Sequence, residues 1–213
     1  KKRNFFMVKM IWLTDIHFDF VDISDIWEFC CQINAQKSDL ILIGGDIGNS
    51  HELVPYLMLL EDLCNVPIYF VLGNHDYYKS SIHSVRKRIK KICENRSQLN
   101  WLPEYGIVEL NNENCLVGIG GWADGRLGKY DEKIARINDY IHIQELSFIT
   151  KEERINKLHQ LGDESVEKIK PIFQDAVDNY DHIYFLTHVP PFKYASWYEG
   201  KITEDCWHPH FTN

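Results

Sequence analysis

The sequence lacks the features that mark membrane-spanning and disulfide-stabilised proteins. In its 213 residues, no apolar run approaches the roughly 20 residues that cross a bilayer. The apolar stretch behind the basic N-terminus is too short for a signal peptide. The six cysteines are scattered and form no Cys-x-x-Cys pair, which is typical of reduced thiols. We therefore expect a cytoplasmic protein that does not act at a membrane.

Positive charge is scarce as well. The chain has 23 lysines and arginines against 31 aspartates and glutamates, which gives a net charge of −8. A protein that binds duplex nucleic acid normally presents a basic face, so this balance argues against a nucleic-acid partner. The basic run at residues 87–91 falls in a helical segment, and we interpret it as a solvated helix face rather than the contact surface of a nuclease.

The first half of the chain alternates strand-like and helix-like segments. Short runs rich in Ile, Val and Leu, each followed by turn residues, predict buried strands at 8–13, 40–43 and 68–72. Segments with helical spacing lie at 23–33, 53–63 and 82–92. The order β-α-β-α-β-α predicts an α/β fold with a largely parallel sheet. Length and composition fit a single domain covering 1–213.

Further strands are expected in the second half. Residues 107–110 and 116–119 are joined by a polar Asn-Asn-Glu-Asn turn, a pattern typical of an antiparallel hairpin. A last apolar run at 182–187 predicts one more strand.

The segment 125–181, between the hairpin and the last strand, is polar with helical periodicity. The pattern is interrupted at residues 161–163 and at Pro171, and we interpret it as two or three surface helices. The alternative interpretation is a lid that faces the substrate.

Each strand-like run ends in side chains that can bind a metal ion. Asp15 and His17 follow the first run, Asp46 follows the second and Asn74 follows the third. His188 follows the last apolar run. In open α/β sheets, ligands bind beyond the carboxyl ends of the strands, so we expect these side chains to converge at one edge of one sheet.

The local patterns differ in specificity. Asp15 and His17 are two residues apart, so on an extended strand their side chains point the same way. Gly44-Gly45-Asp46 lets the chain turn tightly while the carboxylate stays near the strand end. Gly73-Asn74-His75-Asp76 is more specific, because a turn needs Gly and Asn but no following His and Asp. Carboxylate, imidazole and amide donors suit Mn, Fe or Zn ions.

Together these motifs resemble the calcineurin-like metallophosphoesterase family. The resemblance rests on Asp-x-His, Gly-Asp, Gly-Asn-His-Asp and a late His in this order, and it covers nearly the whole chain. It implies a two-sheet α/β sandwich flanked by helices, with a centre of two metal ions (Mn, Fe or Zn). In that centre Asp15 and His17 would hold the first ion, Asp46 would bridge both, and Asn74 and His188 would hold the second.

The resemblance implies metal-dependent hydrolysis of a phosphomonoester or phosphodiester. The nucleophile would be a hydroxide that bridges the two ions. His75 would protonate the leaving oxygen, and Asp76 would orient His75 and raise its basicity. The alternative function is a scaffold that has lost catalysis and serves as a protein-binding module. The presence of every predicted ligand named above argues against that alternative.

The sequence departs from the family pattern at its C-terminal end. The family usually closes its site with a Gly-His-x-His motif, which this sequence does not contain. His208 and His210 are the candidate metal ligands in its place, although no Gly and no apolar strand precede them. The other expectation is that the chain lacks the C-terminal metal-binding motif and the last strands of the second sheet, which would expose a sheet edge.

Several other side chains are candidates for contact with the substrate. Asn49, Trp122 and Arg126 lie close behind predicted strands. In the alternative interpretation, Asn49 stabilises a turn. Trp122 then packs in the core, and Arg126 is a solvated surface side chain. Trp197 and Tyr198 either form a wall of the substrate site or cover the core.

Overall fold

The first sheet contains four parallel strands with helices between them. The computed structural model describes residues 7–131 and 137–213. The strands lie in the order β1 (Met10–Leu13), β2 (Leu40–Ile43), β3 (Ile68–Phe70) and β4 (Leu99–Trp101). The helices are α1 (Ile23–Ala35), α2 (Leu53–Cys64) and α3 (Ile82–Cys93). The predicted β-α-β-α-β-α order is confirmed. The sequence pattern missed β4, because polar Asn100 interrupts its short apolar run.

Burial on both faces explains the composition of the central strand β2. All four of its side chains are buried. Ile41 and Ile43 pack in the cluster that contains the helices, whereas Leu40 and Leu42 pack in the cluster that contains the second sheet. A parallel strand covered on both sides reads as a continuous apolar run, which is why this strand was predicted with its observed bounds.

The second sheet contains three strands. β5 (Val108–Asn111) and β6 (Asn114–Gly118) form the predicted antiparallel hairpin, and β7 (His182–Leu186) pairs parallel to β6. Leu116 and Leu186 of this sheet share one buried cluster with Leu42 of the first sheet. The two sheets therefore pack face to face, and the predicted two-sheet α/β sandwich flanked by helices is confirmed.

A single long helix dominates the segment between β6 and β7. The short helix α5 (Asp139–His142) precedes α6 (Lys151–Asn179), which runs for 29 residues, whereas the other short helix, α4 (Leu102–Tyr105), directly follows β4. The predicted breaks at 161–163 and at Pro171 are wrong. Residues 132–136 of the predicted helical segment lie outside the described residues.

Packing explains why α6 continues through both predicted breaks. Gly162 is buried, and a Cβ atom added there would lie 2.7 Å from Cβ of Asp124, so this glycine permits close packing of the helix. Beyond Pro171, Ile172 and Ala176 pack with Val117 of β6. These contacts hold the helix against the second sheet on the far side of the proline.

The described chain ends in a small hairpin and a short helix. β8 (Trp197–Tyr198) pairs antiparallel with β9 (Lys201–Ile202), and α7 (His208–Phe211) follows. Within the part of the chain that the structure describes, none of the helices combines the length and the apolar character needed to span a bilayer.

Candidate metal centre

The loops after β1 and β2 are hydrogen-bonded to each other at one end of the first sheet. The Asp15 N–H donates to the Gly45 carbonyl at 3.1 Å, and the His17 N–H donates to the Asp46 carbonyl at 3.0 Å. His188 follows β7, so it reaches this place from the second sheet. The sequence predicted convergence at the edge of one sheet, whereas the candidate ligands meet across the end of the sandwich.

Asp46 lies between two of the candidate histidines. Its Oδ2 atom is 3.6 Å from Nε2 of His17, and its Oδ1 atom is 3.5 Å from Nε2 of His188. The Asp46 side chain is 9% exposed, and its Oδ1 atom also accepts the backbone N–H of His75 at 2.9 Å. A carboxylate with its two oxygens near different imidazoles could serve as a shared ligand of two cations.

The Gly44 carbonyl orients His188 so that the second ring nitrogen faces the amide oxygen of Asn74. The Nδ1 atom of His188 lies 2.9 Å from the Gly44 carbonyl, and its Nε2 atom lies 3.0 Å from Oδ1 of Asn74. Asn74 is held in turn, because its amide nitrogen donates to Asp139 at 2.7 Å. A histidine that donates one ring N–H to a backbone carbonyl has its other nitrogen available for a metal. This arrangement brings the amide oxygen and the imidazole nitrogen together.

Three of the candidate ligands have a left-handed backbone. The φ angle is +52° at Asp15, +39° at His17 and +53° at Asp46, a region that non-glycine residues seldom adopt. Such strained residues cluster at functional sites. The expectation that Asp15 and His17 point the same way assumed an extended backbone, and that assumption is wrong.

The donor atoms accordingly form two groups. In each group the donor atoms lie within 4.8 Å of one another. The first group consists of Asp15, Asp46 and His188. The second group consists of His17, Asp19 and His75. The close approach of Asp46 to His17 connects the two groups. This grouping differs from the pairing of Asp15 with His17 that the family resemblance implies.

Asp19 is the member of these groups that the sequence analysis missed. It lies in a short 3₁₀ turn at Phe18–Phe20, directly behind His17. The signal was present in the sequence, because an acidic or imidazole side chain recurs at every second position from Asp15 to Asp19.

Two buried atoms of the second group are without a hydrogen bond. Nδ1 of His17 and Oδ1 of Asp19 have no partner among the described residues. A buried polar atom left without a partner costs about 1–3 kcal/mol, and a cation or water molecule that contacts the atom offsets that cost. Donor types, spacing and these two atoms all fit a site for metal ions.

The carboxylate partner of His75 is Asp19 rather than Asp76. Nε2 of His75 lies 2.9 Å from Oδ2 of Asp19. Burial opposes the ionisation of Asp19, but the hydrogen bonds from His75 and Asn49 outweigh it, so the pKa of Asp19 is lowered. The expectation that Asp76 orients His75 is therefore corrected.

Asp76 instead fixes the backbone of the two neighbouring loops. Its fully buried carboxylate accepts four backbone N–H groups at 2.8–3.2 Å, those of Asp46, Ile47, Gly48 and Gly73. Burial, followed by the charge of Asp46, raises the pKa of Asp76 to about 7, although these N–H groups favour the charged form. Asp76 thus ties the loop after β2 to the loop after β3.

Gly45 and Gly73 permit the close approach of these loops. A Cβ atom at Gly45 would lie 2.5 Å from the Gly73 nitrogen, and one at Gly73 would lie 2.1 Å from Oδ1 of Asp46. Gly45 also has φ = +97°, which glycine adopts without steric cost. The glycines of the two motifs are needed where the candidate ligands crowd together.

Asn49 supports the site from behind. Its amide nitrogen donates to Asp19 at 3.2 Å and to Glu52 at 2.6 Å, and its amide oxygen accepts the His51 N–H at 3.2 Å. The side chain is buried in a turn. These contacts agree with the turn interpretation and add a link to Asp19.

Trp122 and Arg126 have different surroundings. Trp122 is buried, with its ring 5.8 Å from that of Tyr77, and it also lines a cavity that reaches the candidate ligands. Arg126 makes ion pairs with Asp124 at 2.9 Å and with Asp163 of α6 at 2.6 Å. The guanidinium thus ties α6 to the loop that follows β6.

His208 and His210 lie in α7, and neither belongs to the two donor groups found among the described residues. Nδ1 of His208 is 3.2 Å from the Thr212 hydroxyl, and Nδ1 of His210 is 3.2 Å from the Tyr140 hydroxyl. Both side chains are buried. His210 lines the cavity described below, whereas His208 is not among its described lining residues.

A cavity of about 670 Å³ opens beside the candidate ligands. Asp15, Asn74 and His188 line one part of it. Tyr140 and Leu158, from the segment that was alternatively interpreted as a lid, line another part. A substrate in this cavity would contact both regions.

Solved structures of low sequence identity share this fold. Phosphopantetheinyl hydrolase (PptH) from Mycobacterium tuberculosis aligns with a TM-score of 0.64 at 12% identity, covering 88% of this chain and 70% of that one. A protein of Thermus thermophilus aligns with a TM-score of 0.56 at 13% identity, covering 95% and 75%. A dimetal phosphatase from Danio rerio aligns with a TM-score of 0.51 at 13% identity, covering 87% and 70%. No curated protein matches the sequence significantly.

The sequence itself matches a family profile over most of its length. The profile of the calcineurin-like phosphoesterases (Metallophos) covers residues 8–209. It therefore spans both sheets and the loops that carry the proposed ligands from Asp15 to His188. The chain belongs to the calcineurin-like phosphoesterase family, whose members are metal-dependent phosphoesterases.

Proposed function

We propose that the protein hydrolyses a phosphomonoester or phosphodiester with a dinuclear centre of Mn, Fe or Zn ions. The proposed ligands are Asp15, His17, Asp46, Asn74 and His188. The observation that carries the proposal is the position of Asp46, whose two oxygens lie 3.6 Å and 3.5 Å from the Nε2 atoms of His17 and His188.

The chemistry of the donors supports this choice of ions. Oxygen and imidazole donors suit Mn, Fe and Zn, and the two donor groups found among the described residues contain no thiolate. When bound, such ions activate water as the nucleophile and neutralise charge on the phosphoryl oxygens. Asn74 and His188 are held by Asp139 and by the Gly44 carbonyl, so both donors are oriented before an ion binds.

His75 is proposed as the general acid. A proton donor to the leaving oxygen must be held in place. Asp19 meets this condition, because its carboxylate contacts Nε2 of His75 at 2.9 Å and is itself held by the amide nitrogen of Asn49. Asp76 contributes by holding the loop from which His75 projects.

Hydrolysis of p-nitrophenyl phosphate and bis(p-nitrophenyl) phosphate, with and without Mn²⁺, tests the function. We expect metal-dependent turnover of at least one ester by the wild type and almost none by Asp46→Asn. Asp178→Asn, on the exposed surface of α6, is the matched control and should keep wild-type activity. Metal content of each protein is measured in parallel.

Two outcomes would contradict the proposed function. Equal activity of Asp46→Asn and wild type would overturn the assignment of the centre. A wild-type protein that binds two ions and hydrolyses neither these esters nor the other phosphoesters used below would instead support the non-catalytic binding module.

A further inference from the structure

The lining of the cavity beside the candidate centre contains two chemically different sets of side chains. Asp15, Asn74 and His188 form the first set, so a phosphoester that reaches the proposed ions places its phosphoryl group beside them. The remainder of the wall is largely apolar and aromatic. The inference below rests on the proposed function, since it concerns the part of the substrate that the phosphoryl group carries.

Four aromatic side chains of the lining come from the C-terminal part of the chain. Trp197 and Tyr198 come from β8, and Trp207 and Phe211 come from the C-terminal segment. The rings of Trp207 and Phe211 lie 6.1 Å apart. We call these four residues the aromatic wall.

The aromatic wall is positioned but incompletely covered. Trp197 and Tyr198 are 63% and 66% exposed although they line the cavity. The indole N–H of Trp197 donates to the Tyr194 carbonyl at 2.8 Å, which orients the ring. Rings held in place with much of their surface in water are suited to stacking with a planar ligand.

The cavity also limits the size and charge of its occupant. A volume of about 670 Å³ lies within the range of small-molecule sites. Among the described residues, its lining contains neither Lys nor Arg, whereas Asp139 is present. A second phosphate group on the substrate would find neither a Lys nor an Arg there, so the lining favours a neutral group.

We propose that the site takes small phosphoesters whose organic part carries a neutral planar aromatic ring, and that this ring stacks on the aromatic wall. An aliphatic chain would gain the same burial but not the stacking, and Trp and Tyr provide flat faces that a flexible chain does not require. Nucleotide bases and simple aryl groups share the required chemistry, and the substrates below distinguish them.

Two matched substrate pairs test the proposal with the Mn²⁺-loaded full chain. Adenosine 5′-monophosphate and ribose 5-phosphate both release a primary hydroxyl at C5′ and differ in the base. Benzyl phosphate and cyclohexylmethyl phosphate release primary alcohols of similar size and differ in ring planarity. We expect kcat/KM to be about tenfold higher for the aromatic member of at least one pair, a difference that corresponds to about 1.4 kcal/mol. A preference in the first pair alone indicates a nucleobase, and a preference in both indicates any aryl group.

Variants of Trp197 locate the origin of this preference. Trp197→Ala should reduce the ratio of kcat/KM within the preferred pair about tenfold, and Trp197→Phe should restore most of it, because a phenyl ring also offers a flat face for stacking. Trp27→Ala removes an exposed tryptophan of α1 that does not line the cavity, and it should leave the ratio unchanged.

The outcomes separate this proposal from the proposed function. Hydrolysis of all four esters with equal kcat/KM, or a faster reaction with n-heptyl phosphate, would overturn the aromatic preference and leave the phosphoesterase assignment intact. If no ester is hydrolysed, the proposed function fails, and calorimetric titration of adenosine 5′-monophosphate into wild type and Trp197→Ala then decides the inference alone. Binding weakened about tenfold by the substitution supports the aromatic wall, and equal or absent binding contradicts it.

Discussion

The contact between His75 and Asp19 joins the loop after β3 to the loop after β1. The two side chains are about nine-tenths buried, with their nearest atoms 2.9 Å apart. Asn49 donates to the same carboxylate and so limits its movement. Contacts outside the Gly-Asn-His-Asp motif, those with Asp19 and through it with Asn49, therefore help to fix the position of His75.

At this scale we predict that His75→Ala loses turnover but keeps its metal ions. The loss should be about 10²–10⁴-fold in kcat, which is the usual contribution of a general acid. Initial rates with p-nitrophenyl phosphate and metal analysis of the same samples provide the measurement. His83→Ala, an exposed histidine of α3, is the control and should match wild type.

The position of His75 in the same donor group as His17 makes the metal analysis decisive. If His75→Ala loses metal in proportion to activity, His75 is a ligand and its role as an acid is wrong. Asp19→Asn provides a second readout. It should lower kcat with little change in KM if Asp19 acts by positioning His75.

The sequence predicted which residues meet at the site better than it predicted their backbone conformation and side-chain contacts. Strand-end positions predicted that Asp15, Asp46 and His188 would meet, because apolar runs and turn residues are local signals. The left-handed backbone at Asp15 depends on hydrogen bonds to a loop 30 residues away, to Gly45. Such contacts leave no signal in the local sequence. The sequence analysis therefore missed Asp19 and assigned the contact with His75 to Asp76 instead.

Among the elements, α6 shows how packing overrides a local pattern. The buried Gly162 lies against Asp124, and Arg126 bridges Asp124 and Asp163 across the same contact. A helix that must approach a loop this closely needs a residue without a side chain at the crossing point. Gly162, which the sequence pattern indicated as a helix break, is thus the position where α6 packs against the loop that follows β6.

We predict that Gly162→Ala destabilises the protein. In an exposed helix interior, this change would stabilise by about 0.5–1 kcal/mol. Here the added Cβ would lie 2.7 Å from Cβ of Asp124, and the resulting overpacking should cost about 1–3 kcal/mol. Urea unfolding measures the difference. Asn156→Ala, on the exposed side of the same helix, should be neutral or slightly stabilising, and a stabilised Gly162→Ala would show that this contact is not tight.

The two sheets differ in how well the sequence predicted them. Parallel strands buried on both faces, such as β2, give uninterrupted apolar runs that predict their bounds. The pairing of β7 beside β6 joins segments more than 60 residues apart, and no local pattern specifies that neighbour. The sandwich was therefore expected from the family resemblance, while the strand pattern by itself predicted only a parallel sheet and a hairpin.

In the whole molecule, a net charge of −8 accompanies a cluster of buried and partly buried carboxylates at one end of the sandwich. Repulsion among these groups opposes folding in the absence of cations, and burial in that cluster raises the pKa of Asp139 as well as that of Asp76. Cations that bind only the folded chain should therefore stabilise it.

We predict that Mn²⁺ raises the unfolding temperature and that EDTA reverses the change. At a free concentration of about 100 times Kd, one bound ion adds about 2.7 kcal/mol, which corresponds to a shift of about 5–10 °C for a chain of this size. Differential scanning calorimetry provides the measurement. Asp46→Asn should show a much smaller shift, and an equal shift in this variant would indicate that the ion binds elsewhere.

The four N–H groups bound by Asp76 also bear on how metal preference changes during evolution. Because one carboxylate holds the loop of Asp46 and the loop of Asn74 together, a substitution that moves either loop alters the surroundings of both proposed ions. The preference for particular metal ions is then set by the two loops together and not by either loop alone. A library that aims to change which ions this enzyme uses therefore needs to vary both loops at once, with Asp76 retained.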